Sequence, residues 1–147
     1  MSLVLALDKI YSDVKAWHDA STITVGGIKP KLVFDSAEIK DSQAKATVRV
    51  KAFFLGEEQV TLSDRVASPN KKRYKFDGTI IFQIFVLKSV INAENELIRV
   101  LSDIREGYRK KSFNNVTYRN VVFKNLQPED AYYRANLAVN FEYDFKF

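Results

Sequence analysis

The chain has 147 residues, of which 46% are hydrophobic and 28% are charged, a composition typical of one globular domain. It contains no cysteine and one histidine, which excludes disulfides, thiolate metal sites, cysteine nucleophiles and a histidine-rich metal site within one chain. The formal net charge of +5 allows contact with nucleic acid or an acidic protein surface but requires neither. No apolar run approaches the roughly 20 residues that cross a bilayer, so we expect no membrane contact.

The first predicted element is an amphipathic helix that Ser2 can cap. Its apolar positions recur at alternating spacings of four and three, which places them on one face of a helix. These positions are Leu3, Leu7, Ile10, Val14 and Trp17. Gly26, Gly27 and Pro30 end the helical pattern, and Lys31 to Phe34 is predicted as a short strand.

The middle of the chain predicts two longer strands. Residues 44–54 alternate apolar and polar side chains, which indicates a half-buried strand with a basic outer face. Gly56 is expected to end or bend that strand, and residues 68–72 are typical of a loop. Residues 79–87 are apolar at nearly every position, which favours a strand covered or contacted on both faces.

A second amphipathic helix is predicted between Asn92, its N-cap, and Tyr108. Its buried stripe is expected to consist of Leu97, Leu101, Ile104 and Tyr108. A further strand is predicted over residues 116–123, and residues 125–130 are predicted as a turn.

The clearest pattern is the last segment, Tyr133 to Phe147, which alternates apolar and polar positions to its final residue. Successive side chains of a strand point to opposite faces, so this segment is predicted as one long strand with an apolar side. Together the elements predict an α+β fold, a mainly antiparallel β-sheet with two α-helices packed on one face, in a single domain spanning residues 1–147.

The residues give no positive support for catalysis. Gly26 and Gly27 lack the lysine and helix start of a phosphate loop, and His18 lies at the end of the first helix, where a solvent-side residue or polar cap is the commoner role. Glu57 and Glu58 are adjacent, so a strand would send them to opposite faces. We therefore expect no enzymatic activity, no cofactor and no metal.

Two basic clusters are candidate loops facing a partner or a lumen. They consist of Lys71, Lys72, Arg73 and Lys75, and of Arg109, Lys110 and Lys111. The ordinary interpretation is a solvated loop together with favourable charge at a helix C-terminus. The alternative is an electropositive rim that contacts DNA or an acidic partner.

Aromatic residues make up 13% of the chain, which is high for a monomer of this size, and aromatic side chains are enriched in subunit interfaces. The candidate interface residues are Phe85, Tyr133, Phe141, Tyr143, Phe145 and Phe147. We expect the sheet to carry more apolar surface than two helices can cover, so that further copies of the chain cover the remainder.

The second half of the chain resembles the tail terminator, or tail-completion, proteins of long-tailed bacteriophages. The similar parts are the block from Lys72 to Gly78 that leads into Ile80 to Val86, the capped helix from Asn92 to Tyr108, and the closing segment from Tyr132 to Asp144. The long segment from Lys40 to Pro69 departs from typical members.

The resemblance implies a small α+β subunit that closes into a hexameric ring, caps the tail tube, stops its polymerisation and joins it to the head or neck. The implied partners are other copies of the chain, the tail tube protein and a head/neck connector protein, with transient non-specific contact to phage DNA. The implied location is the virion, after assembly in the host cytoplasm. The alternatives are a neck, head-completion or tail tube subunit, a basic nucleic-acid-binding α+β module, and a small enzyme or ligand carrier.

Overall fold

The computed structural model describes residues 3–34, 45–60, 73–109, 112–113, 116–128 and 131–146. The elements in chain order are α1 (Leu3–Ala20), β1 (Lys31–Phe34), β2 (Ala46–Val60), β3 (Arg73–Leu87), α2 (Ala93–Arg109), β4 (Ser112–Phe113), β5 (Val116–Asn125) and β6 (Tyr132–Lys146). The strands form one sheet in the order β1-β2-β3-β6-β5-β4, in which only β1 and β2 pair in parallel. The predicted α+β fold with a mainly antiparallel sheet is confirmed.

Three strands of 15 residues form the centre of the sheet. The strand predicted from the terminal alternation is β6, and it pairs with β3 along its whole length, from Lys146 opposite Arg73 to Tyr132 opposite Leu87. Gly56 does not end β2, because an irregular register between Phe54 and Gly56 lets the strand continue. A second irregularity in β5 surrounds Asn120, whose φ of 56° is left-handed.

Both helices pack on the same face of this sheet. The core combines alternate residues of the central strands, such as Phe82 and Phe141, with the apolar stripes of the two helices. The predicted stripe of α2 is confirmed, since Leu97, Leu101, Ile104 and Tyr108 are all buried. Two amphipathic helices and one apolar sheet face therefore form a single two-layer core.

The two helices also contact each other closely near their C-terminal ends. A Cβ atom at Gly107 of α2 would lie 2.6 Å from Cδ1 of Trp17 on α1, so only a residue without a side chain fits there. The Ser21 hydroxyl donates a hydrogen bond of 2.7 Å to Oδ2 of Asp103. Beneath the helices, the ring of Phe82 contacts those of Trp17 and Tyr108 at centroid distances of 6.3 and 5.5 Å.

Candidate assembly surfaces

The sheet face opposite the helices has no described helix on it; we call it the open face. It is formed by the strand positions that alternate with the core positions. Its described charged side chains are Lys31, Arg49, Lys51, Lys75, Asp77, Arg119, Lys124, Arg134 and Glu142. Cations outnumber acids in this set, so the face is basic.

Polar pairs between neighbouring strands organise the open face. Thr79 donates a hydrogen bond of 2.9 Å to Asn140 on the adjacent strand. Glu142 forms ion pairs with Lys75, at 3.0 Å, and with Arg119. Such cross-strand pairs hold side chains in register but each stabilises the fold by only about 1 kcal/mol or less.

A shallow depression of about 290 Å³ lies on the open face between β2 and β3. Its lining residues are Arg49, Lys51, Ile81 and Gln83. Two cations beside an apolar side chain form a surface suited to an anionic group rather than to a neutral ligand.

The described members of the two predicted basic clusters lie on opposite sides of the sheet. Lys75 belongs to the open face and is paired with Glu142. Arg109 is the last residue of α2, in the helix layer, and its Nη1 lies 3.4 Å from Oε1 of Glu106. Arg73 is the first residue of β3. Lys71, Lys72, Lys110 and Lys111 lie outside the described residues.

The structure corrects the expectation for two of the predicted interface aromatics. Phe141 and Tyr143 are 1% and 6% exposed, and both belong to the core beneath the helices. The alternation along β6 suits a core or an interface, and here the helices of the same chain cover that side of the strand. Neither side chain is available to a second subunit.

Phe85 and Tyr133 occupy different surroundings. Phe85 lies on the open face, yet it is only 7% exposed, because Tyr132 packs edge to face against it with ring centroids 6.0 Å apart. Tyr133 is half-buried beside the core, and the ammonium group of Lys88 lies 5.6 Å from its ring centroid. Phe145 lies within β6, and Phe147 is outside the described residues.

Tyr133 also borders a groove of about 300 Å³ between the start of α2 and the turn that joins β5 to β6. Ile98 and Leu126 contribute apolar surface to this groove, and Glu94 and Arg134 contribute charge. Ile98 is 48% exposed, so the groove continues the exposed apolar surface of α2.

A buried polar contact joins α1 to β5, and the sequence did not predict it. The hydroxyl of Tyr118 donates a hydrogen bond of 2.6 Å to Oδ2 of Asp13, which is 6% exposed, and Lys9 lies 3.4 Å from the other carboxylate oxygen. The ring of Tyr108 packs edge to face on Tyr118 at 4.9 Å. One feature of the sequence indicates a buried carboxylate here, because Asp13 falls between Ile10 and Val14 on the apolar stripe of α1.

Burial and the Asp13 carboxylate raise the pKa of both tyrosines. The pKa of Tyr118 is raised by burial and by its hydrogen bond to Asp13, and that of Tyr108 by burial and by the nearby Asp13 charge. Both hydroxyls therefore stay protonated, and Tyr118 serves as a permanent donor to Asp13. Because the pair is enclosed by the core, we interpret it as a contact that orients α1 rather than as an acid–base site.

The remaining groups that could suggest chemistry are explained by local contacts. Nε2 of His18 donates a hydrogen bond of 2.7 Å to the carbonyl of Pro30, which fixes the chain after α1. In the described part of the chain, no three His, Cys, Asp or Glu side chains lie close enough to hold a metal ion. None of the described helices combines the length and the apolar character that a membrane span needs.

Comparison with known proteins shows the fold and leaves the activity open. No family model matches the sequence, and no curated protein matches it. One similar solved structure, whose name states no activity or partner, has a TM-score of 0.65 with 11% sequence identity. The similarity covers 99% of this chain and 97% of that one, so the two proteins share the whole fold.

Proposed function

We propose that this protein is a structural subunit of a phage tail, a tail terminator that forms a ring on the tail tube, stops its polymerisation and joins it to the head or neck. The observation that carries the proposal is the open face of the sheet. An antiparallel sheet with one face on the core leaves its second face for water or for another protein. Here that face belongs to a six-stranded sheet and has no described helix on it.

The resemblance to tail terminators supports the same function, because the similar residues form one packed unit. They correspond to β3, α2 and β6. Strands β3 and β6 are neighbours along their full length, and α2 contacts both of them. The similarity therefore covers the centre of the fold rather than separate pieces of the surface.

The proposal is tested by measuring the mass of the purified protein and the effect of the protein on tail tubes. A ring of six copies has about six times the mass of the 16.9 kDa chain, and sedimentation or light scattering resolves it from a monomer. Electron microscopy should show annular particles. Added during polymerisation of tube protein, the chain should shorten the tubes. A monomer at every concentration, with no effect on tube length, would contradict the proposal.

A second candidate function is nucleic-acid binding, which the basic character of the open face favours. Arg49 and Lys51 lie side by side around the depression on that face, where phosphate groups could contact them. Replacing both by Ala should weaken retention of DNA at low salt. It should also make the plot of log binding constant against log salt concentration less steep, by about one unit of slope for each lost phosphate contact. Replacing Lys15 and Arg99, two exposed cations of the helix layer, by Ala is the matched control. Equal loss in both variants would indicate only non-specific attraction to net charge.

A further inference from the structure

Among the residues that the structure describes, a short strand covers each long edge of the sheet over only part of its length. At one edge, β1 pairs with β2 only over residues 47–50. Further along β2, the backbone N–H of Ala52 donates a hydrogen bond of 3.1 Å to the Tyr11 hydroxyl. The same hydroxyl donates a bond of 3.5 Å to the Ala52 carbonyl oxygen. At the other edge, β4 pairs with β5 only over residues 116–117. Within the described ranges, residues 54–60 of β2 and residues 119–125 of β5 have no strand on their outer side.

The two uncovered stretches lie at opposite ends of the sheet. Through the register of the four long strands, Phe54 of β2 is level with Tyr118 of β5, and Arg49 is level with Lys124. The uncovered parts of β2 and β5 therefore begin at the same level of the sheet and extend from it in opposite directions. A neighbouring molecule can meet both stretches only if it is displaced along the strand direction.

Three of the eight exposed large apolar side chains of the described residues lie on these stretches. On β5, Val122 and Phe123 are 61% and 53% exposed, and as consecutive strand residues they point to opposite faces. On β2, Leu55 is 63% exposed. An edge strand with exposed apolar residues and unpaired backbone groups is a template for pairing with another strand.

From these observations we infer that copies of this chain join edge to edge, with residues 119–125 of one copy pairing antiparallel with residues 54–60 of the next. Strands β2 and β5 run in opposite directions, so copies related by rotation about an axis along the strands present them antiparallel. The contact uses two different surfaces, which generates a ring when the rotation closes, and the displacement supplies the stagger of a closed sheet. The inference rests on the proposed ring.

A charge placed on the β5 edge tests this contact. Val122→Asp puts a desolvated carboxylate into the paired edge, and the expected result is loss of the oligomer, measured by sedimentation, with an unchanged melting temperature of the monomer. Ile91→Asp is the matched control, because Ile91 is 85% exposed in the connection between β3 and α2, away from both edges. This variant should assemble like the original chain.

A charge placed on the β2 edge provides a second, independent measurement. Leu55→Asp should raise the concentration at which half of the protein is assembled, because Leu55 is 63% exposed on the stretch that is expected to pair with β5. If the original chain forms rings that Val122→Asp leaves intact, the edge contact is refuted while the proposed function stands. If the original chain is monomeric under all conditions, with or without tube protein, both are refuted.

Discussion

The two faces of the central strands show how one chain can build a closed core and an accessible surface from alternate residues. Phe82 and Gln83 are neighbours in β3, yet Phe82 is fully buried against both helices while Gln83 borders a depression on the open face. The covered face is held by close packing, and the open face by pairs between side chains of adjacent strands. Changes on the first face should alter stability, and changes on the second should alter contacts with partners.

The apolar residues of the open face refine this comparison. Phe85 and Val33 are only 7% and 5% exposed although no described helix lies over them. Neighbouring side chains of the same sheet cover them, as Tyr132 covers Phe85. Phe85 and Val33 therefore add little exposed apolar surface to the open face, whereas Leu55, Val122 and Phe123 on β2 and β5 are exposed.

The largest expected difference in stability is between alanine substitutions at two adjacent residues, Phe82 on the covered face and Gln83 on the open face. Phe82→Ala removes a ring that contacts Trp17 and Tyr108, and it should lower the free energy of unfolding by about 3–5 kcal/mol. Gln83→Ala should change it by less than about 0.5 kcal/mol. Urea titration of both variants measures the contrast, and equal effects would show that the open face is packed as tightly as the core.

Within the covered face, the two tyrosines near Asp13 should respond in opposite ways. Tyr118→Phe leaves the buried Asp13 carboxylate without its hydroxyl donor and should cost about 1–3 kcal/mol of stability. Tyr108→Phe removes a buried hydroxyl that has no hydrogen-bond partner among the described residues, so stability should stay the same or rise. Comparable losses in both variants would mean that Tyr118 acts through packing alone.

Alkaline pH should lower the free energy of unfolding through the same two tyrosines. The folded protein raises the pKa of Tyr118 and Tyr108, whereas the unfolded chain releases these protons near pH 10. Their contribution is therefore complete below about pH 10, and it declines above that value by up to about 1.4 kcal/mol per pH unit for each tyrosine. Unfolding curves between about pH 8 and 11.5 test this slope, which should be smaller in Tyr118→Phe; an identical slope would contradict it.

The smallest expected effect lies on the open face. Glu142→Gln removes the charge shared by Lys75 and Arg119, and because these pairs are solvated it should cost no more than about 1 kcal/mol. The loss should diminish at high salt, which screens exposed charges. A larger, salt-independent loss would indicate that Glu142 is buried in solution, for example by another subunit.

Much of the fold could be predicted from the sequence because local patterns encode it. Strict alternation identified β6, the spacing of apolar residues identified α1 and α2, and Gly56 marked the irregularity in β2. The extension of β2 beyond Gly56 and the short strand β4 were missed, since both depend on pairing with a partner strand. For the candidate surfaces, the sequence supplied the aromatic and basic residues but did not show which of them the chain's own helices cover.

Alternation along β6 by itself determined that this strand has an apolar side, and composition determined that no thiolate site exists. Only the tertiary structure decided that the chain's own helices cover Phe141 and Tyr143, because the same pattern suits a core or an interface. It also brought Tyr118 to Asp13 across 105 residues of sequence. The positions of β1 and β4 decided which residues of β2 and β5 are paired on their outer side, since backbone pairing depends on neighbours in space and leaves no period in the sequence.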